Sequence, residues 1–264
     1  MLYAFYISFH EFSFMVPKNS KFIFLDNYIN LFSDDTFLTA LKNTAFYSLG
    51  VVPVQMAIAF LLAVCVNSDI KGKTFFRVAF FLPTVTSSVA VSLMFMWMYS
   101  KTGIVNYLFS FFGIPAVDWL NNIHFALPAL MALAVWTTVG NFMIIYLAGL
   151  QEIPKSVYEA ADLDGLNAWQ RLRFITWPLL KNTTYFVLIM STIGTFQVFD
   201  TFYIITKGDG GPLDSTMTVV LYIFKAAFKH FDMGYASAMA FMLFLVIFGL
   251  SIAQRLFFGR EEEA

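Results

Sequence analysis

Residues 158–180 read YEAADLDGLNAWQRLRFITWPLL, a polar, alanine-bearing stretch set between two apolar runs that are each long enough to cross a bilayer. Pro154 just upstream suits the first turn of a helix, and Val157, Ala160 and Ala161 then share a face. Gly165 suits the left-handed conformation that ends such a helix. A second helix starts at once, because Asn167 and Gln170 have capping-box spacing, and it must stop or kink before Pro178. Residues 154–177 therefore read as two short helices joined at a glycine. An exposed apolar stripe of alanine rather than leucine lets another surface approach closely, with Glu159, Asp162, Arg171 and Arg173 as charges at the rim, which is the profile of a docking element. A solvated amphipathic connector lying on the membrane face fits the same periodicity.

The surroundings of this stretch are those of a membrane protein. Of 264 residues, 59% are hydrophobic, 33 are Phe and only 12% are charged, with a mean hydropathy of +0.71. That is more apolar surface than a soluble chain of this length could bury. Five runs reach the roughly 20 residues that cross the hydrocarbon as a helix: 45–66, 78–99, 125–150, 185–206 and 235–253. The N-terminal MLYAFYISF stops at His10 and Glu11. It reads as the end of a short or truncated further span rather than a signal peptide, having neither a basic flank nor a small-residue cleavage site. The fold class is thus all-α and polytopic, with about six transmembrane helices in one domain over 1–264.

Basic residues in short loops set the orientation. Lys71, Lys73 and Arg77 follow the first full span and Lys155, Arg171, Arg173 and Lys181 lie within 151–184, whereas 100–124 holds only Lys101. The first two segments read as cytoplasmic, and Arg255 and Arg260 fall inside with them. Lys18, Lys21, Lys42, Lys207, Lys225 and Lys229 land on or near the outer side under this scheme, so the bias is partial. Pro53, Pro83 and Pro128 bend or end spans. KGDGGPLDST at 207–216 is turn chemistry. The following residues place Val220, Phe224, Ala227, Phe228 and Phe231 on one stripe with Lys225 and Lys229 opposite, as for a helix at the outer interface; 207–232 reads as an outer loop with an interfacial helix.

The pattern E-A-A, three residues, G, then a dozen residues to a hydrophobic-x-Pro, as in EAADLDG followed by ITWPLL, resembles the cytoplasmic signature of permease subunits in binding-protein-dependent ABC importers. Further stretches, LDNYINLF, ALKNTAFYS, FFRVAFFLPTV, LAGLQEIPKSVYEAADLDG, STIGTFQVFDTFYIIT and MGYASAMAF, resemble the carbohydrate-uptake branch of sugar permeases across essentially the whole chain. The resemblance implies the type I importer permease architecture, with 151–180 as a coupling-helix loop that sits in a cleft of an ATPase subunit. Glu159, Ala160, Ala161, Asp162 and Gly165 then carry the ATPase coupling, with Pro178 closing the signature; Trp177 stands where the family often has Leu. It further implies a second, related permease subunit, two copies of an ATP-binding subunit, an extracytoplasmic solute-binding protein and a sugar substrate. The outer segments 100–124 and 207–232 are the candidate surfaces for that binding protein.

A second constellation is Gln197 and Asp200 in GTFQVFDTFY. An acid within a span usually faces a bundle interior or a water-filled path. Gln197 and Asp200 share a side at helical spacing with Phe196 adjacent, and carboxylate, amide and aromatic face are the groups that bind sugars. Pairing of Asp200 with Lys207 is the structural alternative. Asn141, with Trp136 and Tyr146, is a weaker candidate for the same path, against an interhelical hydrogen bond from Asn141.

Absences narrow the function classes. There is no G-x-x-x-x-G-K-[ST], so no P-loop cradles phosphates; the chain reads as a transport subunit without a catalytic site or cofactor of its own, with ATP and Mg held by the partner ATPase. His10, His124 and His230 are scattered and Cys65 is the lone cysteine, so no metal site or disulfide is expected. A net charge of −1 with no clustered basic face excludes nucleic acid. An ATP-driven importer moving sugars by alternating access is the reading the residues favour. A secondary transporter driven by an ion gradient is the alternative, and it would need coupling-ion carboxylates or inverted repeats where this sequence has one intramembrane acid and no symmetry.

Overall fold

The computed structural model describes residues 2–15, 20–68 and 71–258; Lys18 and Arg260 lie outside them. Among the described residues the regular structure is helical apart from two short antiparallel strands, β1 (His10–Glu11) and β2 (Lys21–Phe22), paired His10 to Phe22 and Glu11 to Lys21. Helices α1 (Leu2–Ile7) and α2 (Asp26–Leu31) flank this pair. Helix α3 (Asp35–Asn67) has 33 residues, so at about 1.5 Å per residue it rises roughly 50 Å, well beyond the hydrocarbon thickness of about 30 Å. Its N-terminus is capped by Asp34, whose Oδ1 accepts from the amides of Thr36 at 2.9 Å and Phe37 at 3.0 Å.

Among the described residues four helices are long and apolar enough to cross a membrane: Asp35–Asn67, Ala126–Glu152 (α7), Lys181–Thr206 and Met233–Phe257. The expected second span is not one helix. It divides into α4 (Lys73–Val85) and α5 (Ser88–Met98), separated by Thr86 and Ser87 in extended conformation, and counts as a span only if the bent pair is one. Pro83 sits inside α4, and without its amide the last turn is weakened just before the break. The fourth span is also interrupted: α11 (Lys181–Phe196) and α12 (Asp200–Thr206) are joined by non-helical residues 197–199.

The chain folds into two compact units, one of residues 1–49, 87–131 and 192–264, the other of residues 50–86 and 132–191. In the first, polar bonds stitch the chain after α12 to α3. Asn43 Nδ2 donates to the carbonyls of Asp214 (2.8 Å) and Met217 (3.1 Å), and Thr44 Oγ1 accepts from the amide of Val219 at 3.1 Å. Ser48 and Thr195 hydroxyls meet at 2.7 Å, and the rings of Tyr47 and Phe202 pack edge-on at 5.1 Å. Asn106 in α6 (Ile104–Ser110) organises the segment after α5: its amide donates to the carbonyls of Ser100 and Val117, while its oxygen accepts from Val117 N and Trp119 Nε1. Asp34 Oδ2 accepts 2.7 Å bonds from Tyr222 in α13 (Val219–Phe224) and from Tyr235 in α14 (Met233–Phe258).

The stripe expected after Pro212 is split. A π turn at Lys225–Lys229 follows α13. Its wider ring adds a residue and turns the face, so Val219, Leu221, Ala226 and Ala227 are buried, Val220 and Phe224 half-buried, and Phe228 and Phe231 exposed.

The second unit has a core of Ala59, Phe60 and Ala63 from α3, Val139, Phe142, Met143, Tyr146 and Leu150 from α7, and Leu180 and Val187 from the chain beyond. Small residues allow close helix approach here. A Cβ on Gly140 would lie 2.0 Å from the Phe80 carbonyl oxygen, so only glycine lets α4 reach α7. Thr84 Oγ1 donates to the Thr137 carbonyl at 2.8 Å, and Thr138 Oγ1 donates to the buried Gln55 Oε1 at 2.6 Å. In a medium without water such bonds satisfy groups that would otherwise be costly.

Candidate functional site

The 154–177 segment folds as two helices about a glycine. Helix α8 (Lys155–Leu163) begins after Pro154 and ends at Asp164. Gly165 is left-handed at φ 74°, and the Leu166 amide returns to the Ala161 carbonyl at 3.1 Å, the backward bond of a glycine-terminated helix. Asn167 then opens α9 (Ala168–Arg171) with a reciprocal box: Asn167 N donates to Gln170 Oε1 and Gln170 N to Asn167 Oδ1, both at 2.9 Å.

The alanine pair divides between the two faces of α8. Ala161 is buried and Val157 half-buried, whereas Glu159, Ala160, Asp162 and Gly165 are exposed. The outward surface of α8 therefore presents the methyl of Ala160 together with the carboxylates of Glu159 and Asp162, and Leu163 is 90% exposed. Arg171 Nη1 pairs with Asp162 Oδ1 at 2.6 Å, joining the two helices.

Pro178 does not stop the chain's helical path. A π turn at Leu172–Thr176 precedes α10 (Trp177–Leu179), and α11 follows with Leu180 between them. The wider turn accommodates a ring that would clash with the carbonyl four residues back in a regular α-helix. Tyr158 and Thr176 hydroxyls meet at 3.2 Å, tying α8 to this turn.

The candidate path residues fall in both units. In the first, Phe196 is buried at the end of α11, and Gln197 and Asp200 are exposed on either side of the break. Asp200 begins α12, where the aligned peptide dipoles favour a negative charge. Among the described residues it forms no ion pair, so the alternative pairing with Lys207 is not made; Lys207 instead takes a left-handed conformation at the end of α12. Beside Asp200, the rings of Phe199 and Tyr203 stack at 5.3 Å and both meet Phe224 at about 5 Å. The sequence reading missed this aromatic group, although its i,i+4 spacing was visible.

In the second unit Asn141 and Trp136 are exposed on α7, and among the described residues Asn141 makes no interhelical hydrogen bond. Tyr146 is different. It has no exposed surface and its ring packs edge-on against Phe60 at 5.6 Å, so it is a core residue rather than a path residue.

Comparison with known proteins adds the following. A family model described as "Binding-protein-dependent transport system inner membrane component" matches residues 37–262. The chain is 44% identical over 233 residues to the probable ABC transporter permease protein YesP of Bacillus subtilis (strain 168), covering 87% of this chain and 75% of that one. It is 38% identical over 238 residues to the lactose transport system permease protein LacF of Rhizobium radiobacter, covering 89% and 80%. In fold it is similar to a chain in the crystal structure of a bacterial ABC transporter involved in the import of the acidic polysaccharide alginate, with a TM-score of 0.82, 23% identity, and 94% of this chain and 87% of that chain covered.

Proposed function

From the premise that this chain belongs to the family of binding-protein-dependent transport system inner membrane components, we propose that it is one half of the membrane path of an ATP-driven importer of sugars or oligosaccharides. The carbohydrate class is supported by the names of relatives such as the lactose permease protein. Energy enters through residues 151–180, which act as a coupling loop gripped by an ATPase subunit. Glu159, Ala160, Ala161, Asp162, Gly165 and Pro178 carry this role, Ala161 and Pro178 by shaping the loop and the others at its surface.

The observation that carries the reading is the exposed outer face of α8, closed at its C-terminal end by the Gly165 turn and the Arg171–Asp162 pair and presenting carboxylates together with a small methyl. Such a knuckle is stiff enough to transmit a push and small enough to enter a cleft. A nucleotide-driven motion shifts the spans between inward-facing and outward-facing states only if the grip on this loop differs between the two. A second permease subunit, two ATP-binding subunits and a solute-binding protein outside the membrane complete the assembly. Gln197 and Asp200, beside the aromatic group of Phe199 and Tyr203, are the side chains we assign to the sugar path, with Asn141 and Trp136 as further candidates.

Replacing Glu159 with Trp tests the coupling role. The variant is expected to insert normally but to lose uptake and fail to retain the ATPase on purification. Wild-type transport with undiminished ATPase retention would reject the assignment.

A further inference from the structure

Beside the α8 knuckle lies a groove with a different chemistry. It has a volume of about 430 Å³ and is lined by Phe60, Trp169, Leu172, Arg173 and Trp177. Four linings are apolar or aromatic and one is a guanidinium. Phe60 and Trp177 rings meet edge-on at 5.1 Å, which fixes the groove against the core of the second unit.

Two features specify what fits there. The first is charge. Arg171 is engaged by Asp162, whereas Arg173, two residues on, is exposed, with its guanidinium carbon 5.9 Å from the centroid of the Phe174 ring. Among the described residues no carboxylate pairs with it. The second is depth. Phe60 sits seven residues before the end of α3 at Asn67, about 10 Å along the helix, and Trp177 opens α10, four residues before α11, where another candidate span begins. A site bounded by the ends of two spans lies where acyl chains meet headgroups, the level at which Trp is enriched and basic side chains meet anionic lipid.

We propose that this groove binds an anionic phospholipid, with Arg173 on its phosphodiester oxygens and the upper part of one acyl chain against Phe60, Leu172, Trp169 and Trp177. A planar guanidinium matches phosphate oxygens through paired N–H donors. A net-negative headgroup is favoured over a zwitterionic one, whose own ammonium competes for the phosphate. The volume falls in the range of small-molecule sites, roughly 300–1,000 Å³. The proposal rests on the chain's place in the membrane and not on the coupling role of α8.

The test uses the intact transporter complex in nanodiscs of phosphatidylcholine doped with phosphatidylglycerol. Native mass spectrometry counts retained phosphatidylglycerol, and a brominated form reports proximity by quenching Trp fluorescence. The wild type is expected to retain one phosphatidylglycerol at this chain and to be quenched. Arg173→Gln should weaken retention about tenfold, Arg173→Lys should restore part of it, and Trp169→Phe should remove part of the quenching. Lys155→Gln, which removes a charge at the start of α8 that does not line the groove, should retain the lipid as the wild type does. Unfolding midpoints equal to wild type in pure phosphatidylcholine show that the variants fold. Equal retention by wild type and Arg173→Gln, absence of quenching, or crosslinking of position 169 to another subunit in place of lipid would overturn the proposal. Because lipid retention is read without transport, its failure leaves ATPase retention by α8 unaffected, and the reverse.

Discussion

Arg171 reaches back over the Gly165 turn to Asp162, closing a 2.6 Å charge-assisted bond between helices that share no other ion pair among the described residues. Both side chains are partly exposed, so the pair stabilises by less than about 1 kcal/mol. What it adds is a fixed angle between α8 and α9. In a double-mutant cycle of Arg171→Ala and Asp162→Ala, a coupling energy of about 0.2–1 kcal/mol is expected from thermal unfolding. Uptake should fall by a larger factor than that energy implies, since the loop loses its shape rather than its fold. Equal losses in both measurements would show that the pair has no role beyond stability.

Gly165 separates backbone strain from steric fit. A Cβ there meets no atom within 4 Å, but φ is 74°. Gly165→Val should therefore destabilise the loop by roughly 1–2 kcal/mol through conformation alone, while Gly165→Asn, which tolerates the left-handed region, should cost less. Uptake assays on both variants, with ATPase retention alongside, check the order. If Asn is as damaging as Val, the surface at this position matters more than its conformation.

Gly140 and Gly194 give opposite expectations from the same substitution. At Gly140 an added methyl would meet the Phe80 backbone, whereas at Gly194 on α11 nothing lies within 4 Å. Gly140→Ala should cost about 1–3 kcal/mol by forcing α4 and α7 apart. Gly194→Ala should be neutral or stabilise by up to about 1 kcal/mol through helix propensity. Unfolding midpoints in detergent distinguish them.

Asp34 sets an acid limit on the first unit. Burial raises its carboxyl, but bonds from Tyr222, Tyr235 and the amides of Phe37 and Thr36 outweigh this and hold it below the ordinary 3.8. The Tyr222 hydroxyl is pushed up, first by burial and then by its bond to Asp34, so it remains a donor throughout the physiological range. A depressed folded-state value means the stabilisation is fully present above the unfolded pKa and disappears as pH falls through the folded one. Tyr222→Phe should move that acid transition to higher pH. An acid unfolding midpoint identical to wild type in Tyr222→Phe and Asp34→Asn would show that the cluster contributes nothing.

What could be read from the sequence was mainly local. Gly165, Asn167 and Gln170 act through bonds to residues a few positions away, and the side-chain chemistry that makes those bonds is visible in the letters. The break at Thr86–Ser87 was signalled by Pro83 three residues upstream, whereas the one at 197–199 was not legible in the same way. Gln197, Val198 and Phe199 include no glycine or proline, so the interruption carries no turn residue and comes from packing in the folded chain. Tyr146, grouped with Asn141 and Trp136 as a path candidate, is buried in the core. Its neighbours at helical spacing, Phe142, Met143 and Leu150, mark a buried stripe, and that periodicity was the better guide. Asn141, also on α7, is exposed.

The π turn at 172–176 has one consequence for how this protein tolerates changes in chain length. A ring closed over five residues holds one residue more than the regular ladder needs. Excising a single residue there would return this stretch to the regular spacing, with everything upstream rotated by about 100° and displaced by about 1.5 Å along the axis. Trp169 and Arg171 would then point elsewhere, and the Pro178 ring would meet the carbonyl four residues back that the wider turn now clears. The number of residues between Gly165 and Pro178 is thus a phase setting for the loop, and a one-residue deletion would mistune it.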